Sequence, residues 1–443
     1  MTAQRVREGR GLMMALIALL LIFPYPRALK GSEIPSVEDV IKGKANLPTI
    51  EELTNGKVKT GDLIDKNNVD LVKNYLSTGT IAAVNRGMVL RMGTQLPPEQ
   101  IAPKYFREAT ERNRGKAIMD ENGTVYYEKM GTLWPGGLPF PIPKTGLEVA
   151  ANVKFGTVWD DLRNYPVSIL FVDSKGRNYK RVDQDMQFTY CNTRTKVPPL
   201  GTIPGYEKIM FKRLIVITFP LELKGVGQYT VRYYDDTRDY DTGFAYLPAF
   251  KRTIRVSTTT WQDNIAGSDP TYQDGQGISD PYSNWSFRLI KPRYILMPEP
   301  KSPFPLLDEK GKIAKNVQFD VGRKFPRVGW AVWPMYEVEA IPKAKNIYGK
   351  KVAYVNAWPY WPSALQFGLI DMYDRQMKLW KVYISHRGNH YVYDGEPYTT
   401  PYMNMVYDLQ ADHMSQFWML EDLNKHGYKP EDITMKTLLK FGR

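Results

Sequence analysis

The chain of 443 residues is 43% apolar, 13% aromatic and 24% charged, a composition that can bury a core and that excludes a disordered or low-complexity protein. Its formal charge of +13 favours anionic lipid headgroups or acidic partners, although scattered basic residues that only confer solubility would give the same number. Those residues form no long block, which argues against nucleic acid. The one cysteine, Cys191, excludes an internal disulfide and reads as a small buried hydrophobe.

Arg5, Arg7 and Arg10 precede an apolar run from Leu12 to Phe23 that Pro24 and Pro26 break. A basic stretch before a short apolar one is the pattern of a secretory signal. Twelve helical residues rise only about 18 Å against roughly 30 Å of hydrocarbon, too little for a stable span. Cleavage is expected after Gly31, which removes five Lys/Arg and one Glu and leaves +9. No cysteine follows the run, so a lipid anchor is not expected. Residues 1–31 are therefore expected to be a signal peptide and 32–443 a single β-sheet domain with an N-terminal helical segment.

Residues 32–63, rich in Gly, Pro, Lys and Asp, read as an extended lead-in. Asn67 or Asn68 is expected to cap a short helix carrying Val69, Val72, Tyr75 and Leu76, with Gly79 ending it. Further helices are expected at Pro98–Arg112 and after Lys144. From about residue 165 the signal is β. Val167–Val172 and Asn178–Val182 flank the turn Asp173-Ser174-Lys175-Gly176. Leu214–Phe219 is a continuous apolar run, expected to be a fully buried strand, and Gln228–Tyr234 alternates. More strands are expected at Arg252–Ser257, Phe287–Met297, Trp330–Val338 and Lys351–Asn356. Ala364–Met372 and Leu379–Ser385 pair around Asp374-Arg375-Gln376, and a last helix follows Pro430. Strands in succession with few helices between them argue for a mainly β (α+β) fold: a large curved antiparallel sheet, an open half-barrel with a few covering helices.

Pro139-Phe140-Pro141-Ile142-Pro143 cannot form a regular helix or a central strand, because proline lacks the amide donor. The segment presents Phe140 and Ile142 either as a rigid lip at a cavity mouth or as a plug in the core. Trp330, Trp333, Trp358, Tyr360 and Trp361 cluster within 32 residues and either line a ligand cavity or fill a core. The candidate cavity residues are thus Phe140, Ile142, Trp330, Trp333, Trp358 and Trp361. His386 and His390 are four apart, but Gly388 argues against a helix and no acidic ligand stands beside them, so no metal is expected. No nucleophile elbow, P-loop or dinucleotide fingerprint occurs. The chain is therefore not expected to be an enzyme or to hold a cofactor. Asp173, Asp235 and Asp374 sit in turn sequences and read as turn formers.

Residues Trp134 to Val153 carry Gly136, Gly137, Pro139, Phe140, Pro141, Pro143, Gly146, Glu148 and Asn152 in a pattern that resembles the domain of unknown function 1329 family. Val153 stands where that family often has His. Tyr246 to Arg255 resembles the family's Tyr-x-Pro-x-x-Arg-Arg-x-Arg strand. Asp371 to Trp380 resembles its Asp-x-Tyr-Asp hairpin, with Met377 where Gly is usual, and Tyr407 to Ala411 resembles its closing motif. The resemblance runs from about residue 62 to the end. It implies an exported protein of Gram-negative bacteria, periplasmic or peripheral to the outer membrane, with the fold of periplasmic lipoprotein carriers and their receptors. It implies a hydrophobic small molecule or lipid as ligand, carried across the periplasm, with an inner-membrane exporter and an outer-membrane protein as partners. The rival expectation is a non-catalytic scaffold of an envelope export complex with a filled interior.

Overall fold

Short helices and turns lead into the sheet, and several of the helices begin where a side chain supplies the missing backbone acceptor. A computed structural model describes residues 34–94, 102–238, 241–256, 261–299, 307–308, 310–358, 368–393 and 396–441, without the side chains of 387–393 and 397–400. The expected signal peptide lies outside these residues. The stretch expected to be extended contains two helices, α1 (Val37–Ile41) and α2 (Ile50–Leu53). Ser36 caps the first. Thr49 and Glu52 form a capping box on the second, so two short-range cap signals outweigh the surrounding Gly and Pro.

After β1 (Leu63–Ile64), the expected helix at Val69 is two 3₁₀ turns, and the true helix α3 (Thr78–Asn85) starts at the Ser77 cap. Gly79 therefore lies inside a helix rather than ending one. Its reason is close approach: a Cβ there would sit 2.4 Å from Asp371 Oδ1 and 2.6 Å from Val382 Cγ2. β2 (Leu90–Met92), α4 (Lys104–Asn113), the small hairpin of β3 (Ala117–Met119) and β4 (Val125–Tyr127), and α5 (Gly146–Phe155) follow.

Two antiparallel meanders then build the sheet. The first comprises β5 (Asp161–Val172), β6 (Asn178–Tyr190), β7 (Ile209–Phe219), β8 (Gly227–Tyr233), β9 (Thr242–Leu247) and β10 (Arg252–Val256). β11 (Trp285–Pro298) and the short pair β12 (Phe319–Asp320) and β13 (Phe325–Pro326) precede the second. That one comprises β14 (Gly329–Pro342), β15 (Tyr348–Asn356), β16 (Leu369–Asp374), β17 (Leu379–Tyr393), β18 (Glu396–Asp408) and β19 (His413–Leu423). β19 pairs with β5, so the last strand of the second meander joins the first strand of the first. The result is a 15-stranded sheet, antiparallel except where β2 runs beside the start of β14. Among the described residues β11 pairs only with β14, and β10 only with β9, so the sheet is open and not a closed barrel. α6 (Met435–Phe441) closes the chain.

Both faces are covered, and alternation along each strand assigns the sides. On one face α1 to α3 pack Val40, Leu53, Val72 and Val84 into a core with Trp330, Met405 and Trp418. On that face α6 sets Leu438 against Leu214 and Val216 of β7. The other face carries α5, whose Val149 and Val153 meet Trp285, Val338 and Met372 while its Ala151 and Phe155 meet Leu162, Phe188 and Phe211. The run Leu214–Phe219, expected from its composition to be a fully buried strand, is buried only on one face. Leu214 and Val216 are, but Ile215 and Ile217 are only half-buried and Phe219 is 49% exposed.

Candidate functional site

The Trp134–Val153 segment is a clamp for α5. Thr145 Oγ1 accepts from the Glu148 amide at 3.1 Å, and the Glu148 carboxylate accepts from the Lys144 amide, which starts the helix. Asn152 grips the Pro-Phe-Pro segment from both sides: its Oδ1 accepts from the Phe140 amide at 2.8 Å and its Nδ2 donates to the Phe140 carbonyl at 2.7 Å. Gly137 abuts the α4 backbone, where a Cβ would stand 2.5 Å from the Thr110 nitrogen. Phe140 packs against the core formed by Trp134, Phe155 and Phe188, while Ile142 is 47% exposed.

Trp330, Trp333 and Trp358 come together in the core on the α1–α3 side, with Trp333 and Trp358 ring centres 5.9 Å apart. Trp330 is 1% exposed and meets His386 edge-on at 6.3 Å. Burial holds the His386 imidazole neutral, its pKa pushed down to about 3, and neither ring nitrogen has a hydrogen-bond partner among the described residues. Trp361 lies outside the described residues, as does the side chain of His390. No group of metal-ligating side chains occurs among the described residues.

The opposite face of the sheet holds a cavity of about 200 Å³. Strands β5 to β8 and β17 to β19 form its floor, with alternate residues of β6, β7 and β19 facing it. Gln184, Met186 and Phe188 line it from β6, Arg213 and Ile215 from β7, and Phe417, Met419 and Glu421 from β19. Its lid is the irregular stretch 261–279, through Trp261, Ile265, Tyr272 and Gln276. None of Phe140, Ile142, Trp330, Trp333 and Trp358 reaches this wall. The sequence signal for it was different: strands on which polar residues interrupt methionine, phenylalanine and isoleucine on a single face.

Buried polar ties fix the lid. Lys351 Nζ donates to Asp274 Oδ1 at 2.7 Å and to the Gly277 carbonyl at 3.0 Å, with both charged side chains fully buried. The Tyr348 hydroxyl donates to Asp274 Oδ2 at 2.7 Å. Burial opposes charge on Asp274, but Lys351 and Lys381 outweigh it and hold the carboxyl below its usual range. A second tie joins Asp269 to β19: the Ser415 hydroxyl donates to it at 2.6 Å and His413 Nδ1 lies 2.8 Å away. That hydrogen bond raises the His413 pKa above its ordinary value.

The wall's two arginines differ. Arg232 is matched by Asp241, with contacts of 2.8 to 3.2 Å, and lies over the Trp261 ring at 5.3 Å. Arg213 has one hydrogen bond among the described residues, from Nη2 to Thr230 Oγ1 at 3.4 Å, and its Nε has none. Burial and the neighbouring Arg232 charge both lower its pKa. Trp159 Nε1, Asn164 Oδ1 and Asn404 Oδ1 on the same wall also lack partners.

Other residues singled out in the sequence have structural roles. Asp173, Asp235 and Asp374 accept amide hydrogens in their own turns, as expected. Met377, where Gly is usual, adopts φ +61°. Asp371 receives the Ser77 hydroxyl at 2.9 Å at the start of α3, and burial pushes its carboxyl up to about 6. Cys191 is buried, its thiol pushed up to about 12 by burial.

Comparison with solved structures gives similar but distant folds. A domain from Vibrio parahaemolyticus described as an outer membrane lipoprotein-sorting protein matches at 16% identity and TM-score 0.44, covering 66% of this chain and 98% of its own. A DUF1329 family protein from Desulfovibrio piger matches at 14% identity and TM-score 0.45, covering 66% of this chain and 97% of its own. A LolA superfamily protein from Nitrosomonas europaea matches at 12% identity and TM-score 0.37, covering 67% and 100%. No curated protein matches. The family model for "Protein of unknown function (DUF1329)" matches residues 63–436, most of the chain, and so takes in both meanders, the α5 clamp and the cavity wall. The chain belongs to the DUF1329 family.

Proposed function

We propose that the protein is an exported envelope protein that binds or shuttles a hydrophobic, lipid-like ligand across the periplasm, and that the ligand enters the cavity between the sheet and the 261–279 lid. The observation that carries this reading is the cavity itself, about 200 Å³ on the face of an open sheet, walled by Leu162, Met186, Phe188, Ile215 and Met419. A well-packed interior leaves few voids larger than a water molecule, so a scaffold with a filled core accounts poorly for it. The mechanism is desolvation, with each buried CH₂ contributing about 0.8 kcal/mol. Drug-sized sites span roughly 300–1,000 Å³. A long chain therefore enters by one end, and full burial requires the lid to shift.

Release then requires a partner that opens the lid or competes for the cavity. An inner-membrane exporter and an outer-membrane protein are the partners this reading favours, and it involves no catalysis, cofactor or nucleic acid. Fluorescence titration with an environment-sensitive fatty-acyl probe tests it. Saturable enhancement, lost when Ile215→Trp fills the cavity in a protein with an unchanged melting curve, is the expected result. Wild-type protein that takes up no acyl or sterol probe would leave the scaffold reading standing.

A further inference from the structure

The cavity wall holds a cation, Arg213, that has no ion-pair partner among the described residues. Arg213 projects from β7 beside Arg232, and Asp241, the nearby carboxylate among the described residues, is occupied by Arg232. What Arg213 does have is a long hydrogen bond to Thr230 and the ring of Phe188, 5.8 Å from its guanidinium carbon. A neutral donor bond and a ring face compensate a desolvated guanidinium only weakly. Trp159 Nε1, a second donor on the wall, lacks an acceptor as well.

The cavity's two lining carboxylates both lie off β7: Asp274, on the lid, is held by Lys351 and Tyr348, and Glu421 stands on β19. Glu421 on β19 pairs with Asn164, Asn164 with Met186, and Met186 with Ile215, two residues along β7 from Arg213. Three strand spacings put Glu421 about 14 Å across the sheet from that row. Arg213 and Arg232 thus stand on the β7 and β8 side of the cavity, with Met186, Phe188 and Ile215 beside them.

We infer that the ligand is an amphiphile with an anionic head, a carboxylate or a phosphate, which Arg213 binds while the apolar chain lies along Met186 and Ile215. This rests on the carrier reading and names its ligand class. Guanidinium suits both head types because its planar fork donates two parallel hydrogen bonds to either.

The experiment compares four probes on the full-length mature protein: a pyrene-labelled fatty acid, the matching alcohol, the matching alkyl phosphate, and inorganic phosphate as competitor. Wild type is expected to bind the acid and the alkyl phosphate about tenfold or more tighter than the alcohol. Arg213→Gln is expected to erase that preference and leave alcohol binding within about twofold, while Arg213→Lys keeps part of it. Equal affinity for acid and alcohol in wild type overturns the inference and leaves the carrier reading intact. Inorganic phosphate that binds as tightly as the alkyl phosphate shows a site for a free anion and overturns the amphiphile. Failure of every alkyl probe overturns the carrier reading instead. Should Arg213→Gln not fold, the wild-type comparison and Arg213→Lys still decide.

Discussion

The two ends of the sheet solve the same burial problem in opposite ways. Around β14 to β17 both faces are packed solid: Trp330, Trp333, Val382 and Ile384 on one side, Val338, Ala353 and Ile370 on the other. Around β19 and β5 to β8 one face is packed by α6 and by Leu170, Val172, Met414 and Trp418, while the other holds the short cluster of Ile169, Phe171 and Val182 beside the cavity under the lid. The buried tryptophans Trp330, Trp333 and Trp358 sit in the first region, and the cavity with Arg213 in the second. An aromatic cluster thus marks where strands meet helices. A face that alternates Met, Phe and Ile with Arg, Asn and Gln lines the cavity.

The contrast can be broken by substitution, and the largest effect belongs to the packed end. Trp330→Asp places an unpaired charge in a dry core and should prevent folding or cost upwards of about 4 kcal/mol. Chemical denaturation reads this, and a well-folded variant that has lost only ligand binding would move the site to the tryptophans. Lys351→Met should cost about 3–5 kcal/mol, because it strands the buried Asp274 carboxylate. Lys351→Met combined with Asp274→Asn should recover much of that, which separates the ion pair from mere packing.

Acid dependence gives a smaller effect. Asp371 has a folded pKa of about 6, above the roughly 3.9 of an unfolded chain. The folded state therefore holds the proton more tightly. The stability this adds is complete below about pH 4 and is lost as pH rises through about 6, on the order of 2–3 kcal/mol in all. Asp371→Asn should flatten that part of the stability profile. Asp280, also pushed up to about 6 by burial, should leave a residual slope in the same window.

The smallest effect concerns the lid. His413 is raised by Asp269, so its contribution is full below the ordinary histidine value and fades as pH climbs through the elevated one. Amide exchange of residues 261–279, corrected for intrinsic rate, should accelerate over that rise in wild type and show no such step in His413→Asn. An unchanged profile in both would remove His413 from the hold on the lid.

How far the sequence led follows the range of the interactions. Hairpins set by Asp173 and Asp374 and the helix capped at Thr145 were legible because their signals lie within a few residues. The Ser36 and Thr49 caps were equally local but sat in a Gly- and Pro-rich stretch that argued the other way. β18 carries Pro397 and Pro401, which weaken any strand signal, and β19 finds its partner β5 some 240 residues earlier in the chain. The cavity depends on that pairing and on Lys351 reaching Asp274, so its wall was invisible until the sheet was assembled. The lid reads as a polar surface loop for the same reason.

The most direct test is native mass spectrometry of freshly purified protein followed by lipid extraction. The account predicts a co-purifying acidic amphiphile on the wild type, absent from Ile215→Trp and diminished in Arg213→Gln. Wild-type protein that emerges without ligand and takes none up, or an Ile215→Trp variant that carries the same load, would contradict it.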